Sequence, residues 1–465
     1  MPITNFMRSV NASLLFLFSS LLLITACKDD DGFVFDPPTI LSGPQQYGTP
    51  FDQVPAIEDI AMYEVNPRVF SSSQNLQGIT ERLENIQQLG INVVWLMPIY
   101  QTGTERSVGS PYAIRDYQAI HADYGTLDDL RALVDKAHSL GMAVMLDWVA
   151  NHTAWDNEWI NNPSWYAQDR NGNIIHPPGT NWQDVAELNY DNVEMREEMI
   201  KAMKYWVLEA NIDGYRCDFA EGAPADFWQQ AIDTLRHIPN RELILFAEAG
   251  DKDLLDVGFD LIFGWPFYGK LLNIFGGQPA NGLYIAHLNE YSGLDEHKHI
   301  LRWVTNHDQH AWDGTPQSFF NGNEGTLAAF VLAAYMGGVP LVYNGQEVAV
   351  PQQLPFFEGN TTSINWSLNP DIRAEYERIL TLRKTHAALR RGETESYSTA
   401  DIAAFTRQYN DEQLLVLVNV RDGSSSFEVP AELLNSTWVN TADGSILTLG
   451  SELELGAFQY LILQQ

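Results

Sequence analysis

The sequence predicts an α/β chain: a (β/α)8 TIM barrel with a short inserted loop domain after strand 3 and a C-terminal antiparallel β-sandwich. Three observations carry that expectation. From Ile60 onward, eight short apolar runs alternate with amphipathic helical stretches, the rhythm of a barrel closed by parallel strands. One connection, from Trp148 to the helical stretch at Val193, is far longer than a barrel loop. Beyond Ala388 the rhythm changes to strand-like alternation without helices.

In chain order, the candidate barrel strands are Ala61–Val65, Asn92–Met97, Ala143–Trp148, Ile212–Cys217, Leu243–Ala247, Phe259–Ile262, Ile300–Thr305 and Pro340–Tyr343. Helical periodicity fills the gaps at Leu127–Leu140, Val193–Glu209, Ala225–Arg236 and Gly325–Met336, and a last barrel helix is expected at Asp371–Ala388. A doubly wound open sheet is the competing fold and explains the motif positions less well. The long connection, about 150–190, is rich in Asn, Trp and Pro, and excursions of that length tend to be functional. The final segment, 391–465, alternates at Ile402–Tyr409, Leu414–Val420, Ser425–Val429, Thr437–Asn440 and Phe458–Leu463.

Residues 1–27 read as a signal segment outside the fold, with Arg8 ahead of the apolar core Leu14–Ile24, too short to span a bilayer. Its end, Ile24-Thr25-Ala26-Cys27, resembles a bacterial lipobox, which implies a lipidated Cys27 and an anchor in the outer membrane. The following Lys28-Asp29-Asp30-Asp31 resembles the acidic surface-export tag of Bacteroidetes lipoproteins; a cleaved, unlipidated signal is the alternative. Residues 28–55 look like a tether, and 56–390 hold the barrel. With Cys27 acylated, Cys217 has no disulfide partner. The net charge of −33, from 60 Asp+Glu against 27 Lys+Arg, would repel a phosphate backbone and argues against nucleic acid as a partner.

Four motifs close apolar runs and bring carboxylates to their ends: Asp147–His152 (DWVANH), Gly214–Asp218 (GYRCD), Phe246–Glu248 (FAE) and Thr305–Asp308 (TNHD). Alone, each acid reads as a helix cap or a surface loop. Together they fall at the carboxyl ends of strands three, four, five and seven, where barrel active sites gather. Asp218, Glu248 and Asp308 are the set that retaining glycoside chemistry requires. Arg216, two residues before Asp218 on the same strand face, is expected to keep Asp218 ionised. Glu248 follows the apolar run Leu243–Ala247, where desolvation would favour a protonated acid. By alternation, Cys217 should face the other side as a buried core thiol.

These motifs, in this order and spacing, resemble those of glycoside hydrolase family thirteen, the α-amylase family, from about Ile57 to the carboxyl terminus. The resemblance implies Asp218 as nucleophile, Glu248 as general acid/base and Asp308 as transition-state stabiliser. It implies that His152 and His307 contact sugar hydroxyls, that Tyr112 (in Gly109-Ser110-Pro111-Tyr112) stacks on the reacting sugar, and that Asp147 orients Arg216 and Tyr112. Asn151 and Glu187 match positions that hold calcium in the family. Trp148, Trp155, Trp159 and Trp182 are candidates for outer subsites or for burial under the long loop. Two departures matter. Many members carry Lys-His after the nucleophile, where this chain has Glu221-Gly222, and the third loop is short, which implies an open cleft. The segment Pro340–Glu347 (PLVYNGQE) resembles the family's eighth strand and turn, with Gly345 serving backbone geometry.

The implied activity is retaining hydrolysis of α-1,4-glucosidic bonds in starch or maltooligosaccharides, without an organic cofactor. A glucanotransferase or an exo-acting α-glucosidase is the alternative on the same scaffold, and Asn306–Gln309 slightly resembles α-glucosidase members. A starch-binding lipoprotein without catalysis is the alternative from another class.

Overall fold

The structure is a computed structural model that describes residues 43–359 and 361–465. The signal segment 1–27, with the lipobox Cys27, and the acidic run after it lie outside the described residues. Eight parallel strands close a barrel: β1 Met62–Val65, β2 Val93–Leu96, β3 Ala143–Val149, β4 Gly214–Asp218, β5 Ile244–Ala247, β6 Leu261–Phe263, β7 His299–Arg302 and β8 Val339–Tyr343. Each strand hydrogen-bonds to its sequence neighbour, and β8 returns to β1 through Met62 opposite Leu341. Apart from a few buried charged residues, the strands are apolar on both faces because one face fills the barrel and the other packs on helices. At the β4–β5 seam a Cβ on Gly214 would lie 2.0 Å from the Ile244 carbonyl oxygen, so only glycine lets these strands meet.

The helices that follow the strands include α1 Leu127–Ser139, α2 Val193–Glu209, α3 Ala225–Arg236, α4 Gly322–Tyr335 and α5 Pro370–Thr385. Helix α1 starts where Thr126 and Asp129 form a reciprocal capping box. The single last helix expected over Asp371–Ala388 is instead two, since His386 is extended and a second helix, α6, runs Ala387–Arg391. Strand β7 ends three residues before the expected Thr305, leaving Trp303–Asn306 as a loop before a helical turn that starts at His307. The described end of the expected tether is not free chain. Phe51 stacks on His138 at 4.3 Å, and Tyr47 bonds to Leu208 and Asp135, so apolar burial docks this stretch on the barrel.

The insertion after β3 is a short ladder, His152–Ala154 against Val185–Glu187, carrying two single turns. Beyond the barrel, β9 Glu393–Ser396, β10 Ile402–Tyr409, β11 Glu412–Asn419, β13 Thr437–Asn440, β14 Ile446–Thr448 and β16 Tyr460–Gln464 form one antiparallel sheet. Strands β12 Ser425–Glu428 and β15 Glu452–Leu455 form a second. Alternation on β10 explains how they pack. Ile402 and Ala404 join Phe427 and Leu455 between the sheets, while Ala403 and Phe405 join the barrel core. The centre of the large sheet, β10 and β11, is thus buried on both faces and shares the barrel's core. The sequence reading missed β9, β14 and β15, whose segments ETES, ILT and ELEL are short and lie largely exposed.

Candidate active site

At the carboxyl ends of the barrel strands opens a cavity of about 1030 Å³, lined by Tyr112, His152, Asp218, Glu248, His307 and Asp308 among others. Its floor is organised by Arg216. Strand alternation turns this side chain into the barrel, where it is fully buried. Its Nη1 donates to Asp147 Oδ1 at 2.7 Å and to Asp218 Oδ1 at 2.9 Å. Its Nη2 pairs with Glu248 Oε1 at 2.9 Å. One guanidinium therefore holds three carboxylates from β3, β4 and the end of β5. Its position is fixed in turn by Trp95, whose ring lies 5.0 Å from the guanidinium carbon.

Asp147 corrects one expectation. It sits inside β3, fully buried, two residues before the strand ends, and does not reach the loop. Besides Arg216 it accepts from Trp95 Nε1 at 3.2 Å and Tyr112 Oη at 3.1 Å. It orders the floor and is absent from the cavity lining. Glu248 lies one residue past β5, and its surroundings are not the dry apolar pocket expected. Its second oxygen accepts from the Phe219 amide at 2.8 Å.

His307 has both ring nitrogens engaged. Nδ1 bonds to Glu64 Oε1 at 2.5 Å, and Nε2 meets Tyr112 Oη at 2.9 Å and lies 3.5 Å from Asp308 Oδ2. Burial alone would lower its pKa, but Asp308 and Glu64 outweigh that and push it up to about 9, so the ring is a cation at neutral pH. His152 is the opposite case. Burial lowers it to about 4, so it stays neutral beside the cavity.

Glu64, in β1, was not singled out in the sequence, although a glutamate inside MYEV is itself a signal of a buried partner. With it, five carboxyl groups (Glu64, Asp147, Asp218, Glu248, Asp308) surround two cations, Arg216 and His307. The charges do not balance if all five ionise. Burial pushes the Asp218 carboxyl well up, and its neighbours Glu248, Asp147 and Asp308 add to this against the pull of Arg216. Burial also raises Asp147 and Glu64. The expectation that Arg216 alone keeps Asp218 ionised is thus incomplete: burial and the neighbouring carboxylates oppose it.

Tyr112 lines the cavity, and its ring lies 5.7 Å from each of His307 and Phe356, which are 6.1 Å from one another. Of the four tryptophans, only Trp182 lines the cavity. Trp148 is buried among Tyr100, Tyr117 and Tyr215, Trp159 packs on Tyr117, and Trp155 lies under Arg106. The rims hold residues that no motif announced: Phe219, Trp265, Trp312, Phe356 and Phe357. Cys217 is buried and free, on the side away from the cavity as alternation requires.

Asn151 and Glu187 come close through the Leu188 amide, which donates to the Asn151 carbonyl at 3.1 Å. The Asn151 side-chain amide turns to His152 Nδ1 at 3.2 Å. Among the described residues no three His, Cys, Asp or Glu side chains group to hold a metal.

Known proteins match this arrangement. The family described as alpha amylase, catalytic domain, matches residues 64–179. Alpha-amylase 2 of Dictyoglomus thermophilum is 28% identical over 411 residues, 82% of this chain and 69% of that protein. An oligo-1,6-glucosidase of Halalkalibacterium halodurans is 22% identical over 82% of this chain and 93% of its own length. The crystal structure of a maltogenic α-amylase from Thermotoga neapolitana superposes with a TM-score of 0.78 at 27% identity, covering 88% of this chain and 99% of that one. The closed barrel, the carboxylates gathered on one arginine and these likenesses together make the chain similar to glycoside hydrolases of the α-amylase family.

Proposed function

We propose that the protein hydrolyses α-1,4-glucosidic bonds of starch or maltooligosaccharides with retention of anomeric configuration. The observation that carries this is Arg216, which holds Asp218 and Glu248 at once at the base of an open cavity. A shared guanidinium draws the two carboxyl groups together, as retention needs a separation of roughly 5–5.5 Å. Asp218 attacks the anomeric carbon while Glu248 gives its proton to the departing oxygen. Water, deprotonated by Glu248, then cleaves the glycosyl–Asp218 ester. The fixed charge of Arg216, 2.9 Å from Asp218 Oδ1, stabilises Asp218 once it ionises. Asp308, part-exposed beside His307, faces the reacting sugar.

Substrate charge follows from the lining. Asp184, Asp218, Glu221, Glu248 and Asp308 face the cavity, and among the described residues no Lys or Arg does, which favours neutral sugars over sugar phosphates. The second reading is an exo-acting or α-1,6-directed glucosidase, or a transferase, on the same floor; the relative named an oligo-1,6-glucosidase favours it. Gln309, which suggested that reading in the sequence, instead accepts from Trp303 Nε1 in the interior. A proton NMR time course on maltoheptaose separates these readings. Several shorter products, first appearing as α-anomers, are expected. Glucose alone would mean an exo-glucosidase, longer products a transferase, and β-anomers first would overturn retention.

A further inference from the structure

Phe219 follows the nucleophile directly and is held in the left-handed region, φ +38° and ψ 53°, where a bulky side chain is strained. Strain of this kind persists only where the surroundings over-determine it, and here they do. The Phe219 amide donates to Glu248 Oε2, the Ala220 amide donates to the Glu248 carbonyl at 3.1 Å, and Glu221 Oε1 accepts from the Gly250 and Asp251 amides at 2.9 and 3.2 Å. The turn after β4 is thus pinned to the loop after β5. The result is an aromatic ring that is 36% exposed inside the cavity.

Two neighbours define where that ring sits. A Cβ on Gly222 would fall 2.6 Å from Phe219 Cδ1 and 2.3 Å from Asn151 Oδ1, so the ring occupies space that a side chain at 222 would need. On the other side Trp182 meets it edge-on, with ring centroids 5.4 Å apart and planes at 85°. Trp182 is itself seated on Ala113, Ala154 and Val185. The pair is a rigid apolar corner, and its place is informative. Whatever leaves the sugar is protonated by Glu248, so the leaving group lies over Glu248, beside the residue whose amide holds that carboxylate.

We infer that the Phe219 ring, backed by Trp182 and made possible by Gly222, is the stacking platform for the first sugar of the leaving group. This rests on the hydrolase reading above. An apolar platform replaces a charged contact on this side, where Glu221 spends its carboxylate on the Gly250 and Asp251 amides. Sugar C–H faces stack on an aromatic ring without regard to charge, so the platform selects a sugar leaving group over one without a sugar.

The test compares kcat/KM for maltopentaose with that for α-maltosyl fluoride, whose leaving group carries no sugar. Glycine adopts a positive φ freely, so Phe219→Gly removes the ring without adding strain. The ratio of the two constants is expected to fall about tenfold in Phe219→Gly and to return within about threefold of wild type in Phe219→Trp. Gly222→Ala, whose Cβ displaces the ring, should lower the same ratio. A ratio that stays constant while both rates fall overturns the platform and leaves the turn as a support for Glu248. A ratio and rates that both stay constant overturn it as well. Wild-type protein inert toward both substrates refutes the hydrolase reading itself.

Discussion

On the floor of the cleft each charged side chain is answered by another. Arg216 touches three carboxylates, His307 lies between Glu64 and Tyr112, and Arg216, Asp147, Glu64 and His307 are buried. On the rims, Val108, Phe219, Trp312 and Phe357 stand 56%, 36%, 54% and 37% exposed to the cavity. Residues of the strands and of the turns just beyond them make the floor, and residues of the longer loops make most of the rims. The floor is therefore rigid and electrostatic, built for one charge distribution at the reacting carbon. The rims are apolar and pay for their exposure only when sugars cover them, so they decide which chains are held and not how they are cut.

The largest effect that could break this division is at Asp218, the proposed nucleophile. Asp218→Asn keeps the shape and loses the attacking oxygen, and kcat on maltoheptaose should fall about 10⁴-fold or more. Binding of the same sugar, read by isothermal calorimetry, should change by less than about threefold, because the rims are intact. Substantial residual turnover would mean that the bond is cut by other groups, and the floor would lose its meaning.

The two regions also differ in how far the sequence disclosed them. The floor was legible because its chemistry is local to strands: Asp218 and Arg216 share one strand face, and Glu248 and Asp308 close neighbouring motifs. What was not legible is the balance of charge, since Glu64 enters from β1, 243 residues before His307 in the chain. The edge strands β9, β14 and β15 escaped because little of them is buried, so no apolar alternation marks them. The rims escaped for a different reason. Phe356 reaches Tyr112 from a loop after β8, Trp312 meets Phe356 from a single π-helical turn at Gln309–Asp313, and neither position follows from a spacing.

A smaller effect sharpens the comparison by testing whether the floor works as one unit. Glu64→Gln removes one carboxylate from the far side of His307 and leaves the cavity lining untouched. It should lower kcat by about 10- to 100-fold with KM nearly constant, because a shifted charge distribution weakens only the transition state. The pH dependence follows from sign. His307 titrates near 9 in the folded protein against 6.5 ordinarily, so its contribution to stability is complete below pH 6.5 and is lost as pH rises through 9. Wild-type Tm should therefore fall across that window, and Glu64→Gln should flatten the fall. Parallel Tm curves would show that Glu64 does not hold the proton on His307.

The smallest expected effect is on the rim, and it tests the division from the other side. Trp312 contacts Phe356 and Phe357 with ring centroids 5.4 Å away in each case, yet remains more than half exposed. Because so little of it is buried, Trp312→Ala should change stability by no more than about 0.5 kcal/mol. Its ring offers a sugar-stacking surface at the edge of the cavity, so KM for maltoheptaose should rise about three- to tenfold while kcat holds. α-Maltosyl fluoride, too short to span both rims, should show a smaller change. Phe356 is the one link that could carry the effect inward, since it stacks on Tyr112, which bonds to His307 and Asp147. If Trp312→Ala lowered kcat on the fluoride as much as on maltoheptaose, the stack would be transmitting rim contacts to the floor, and the two regions would have to be treated as one coupled site.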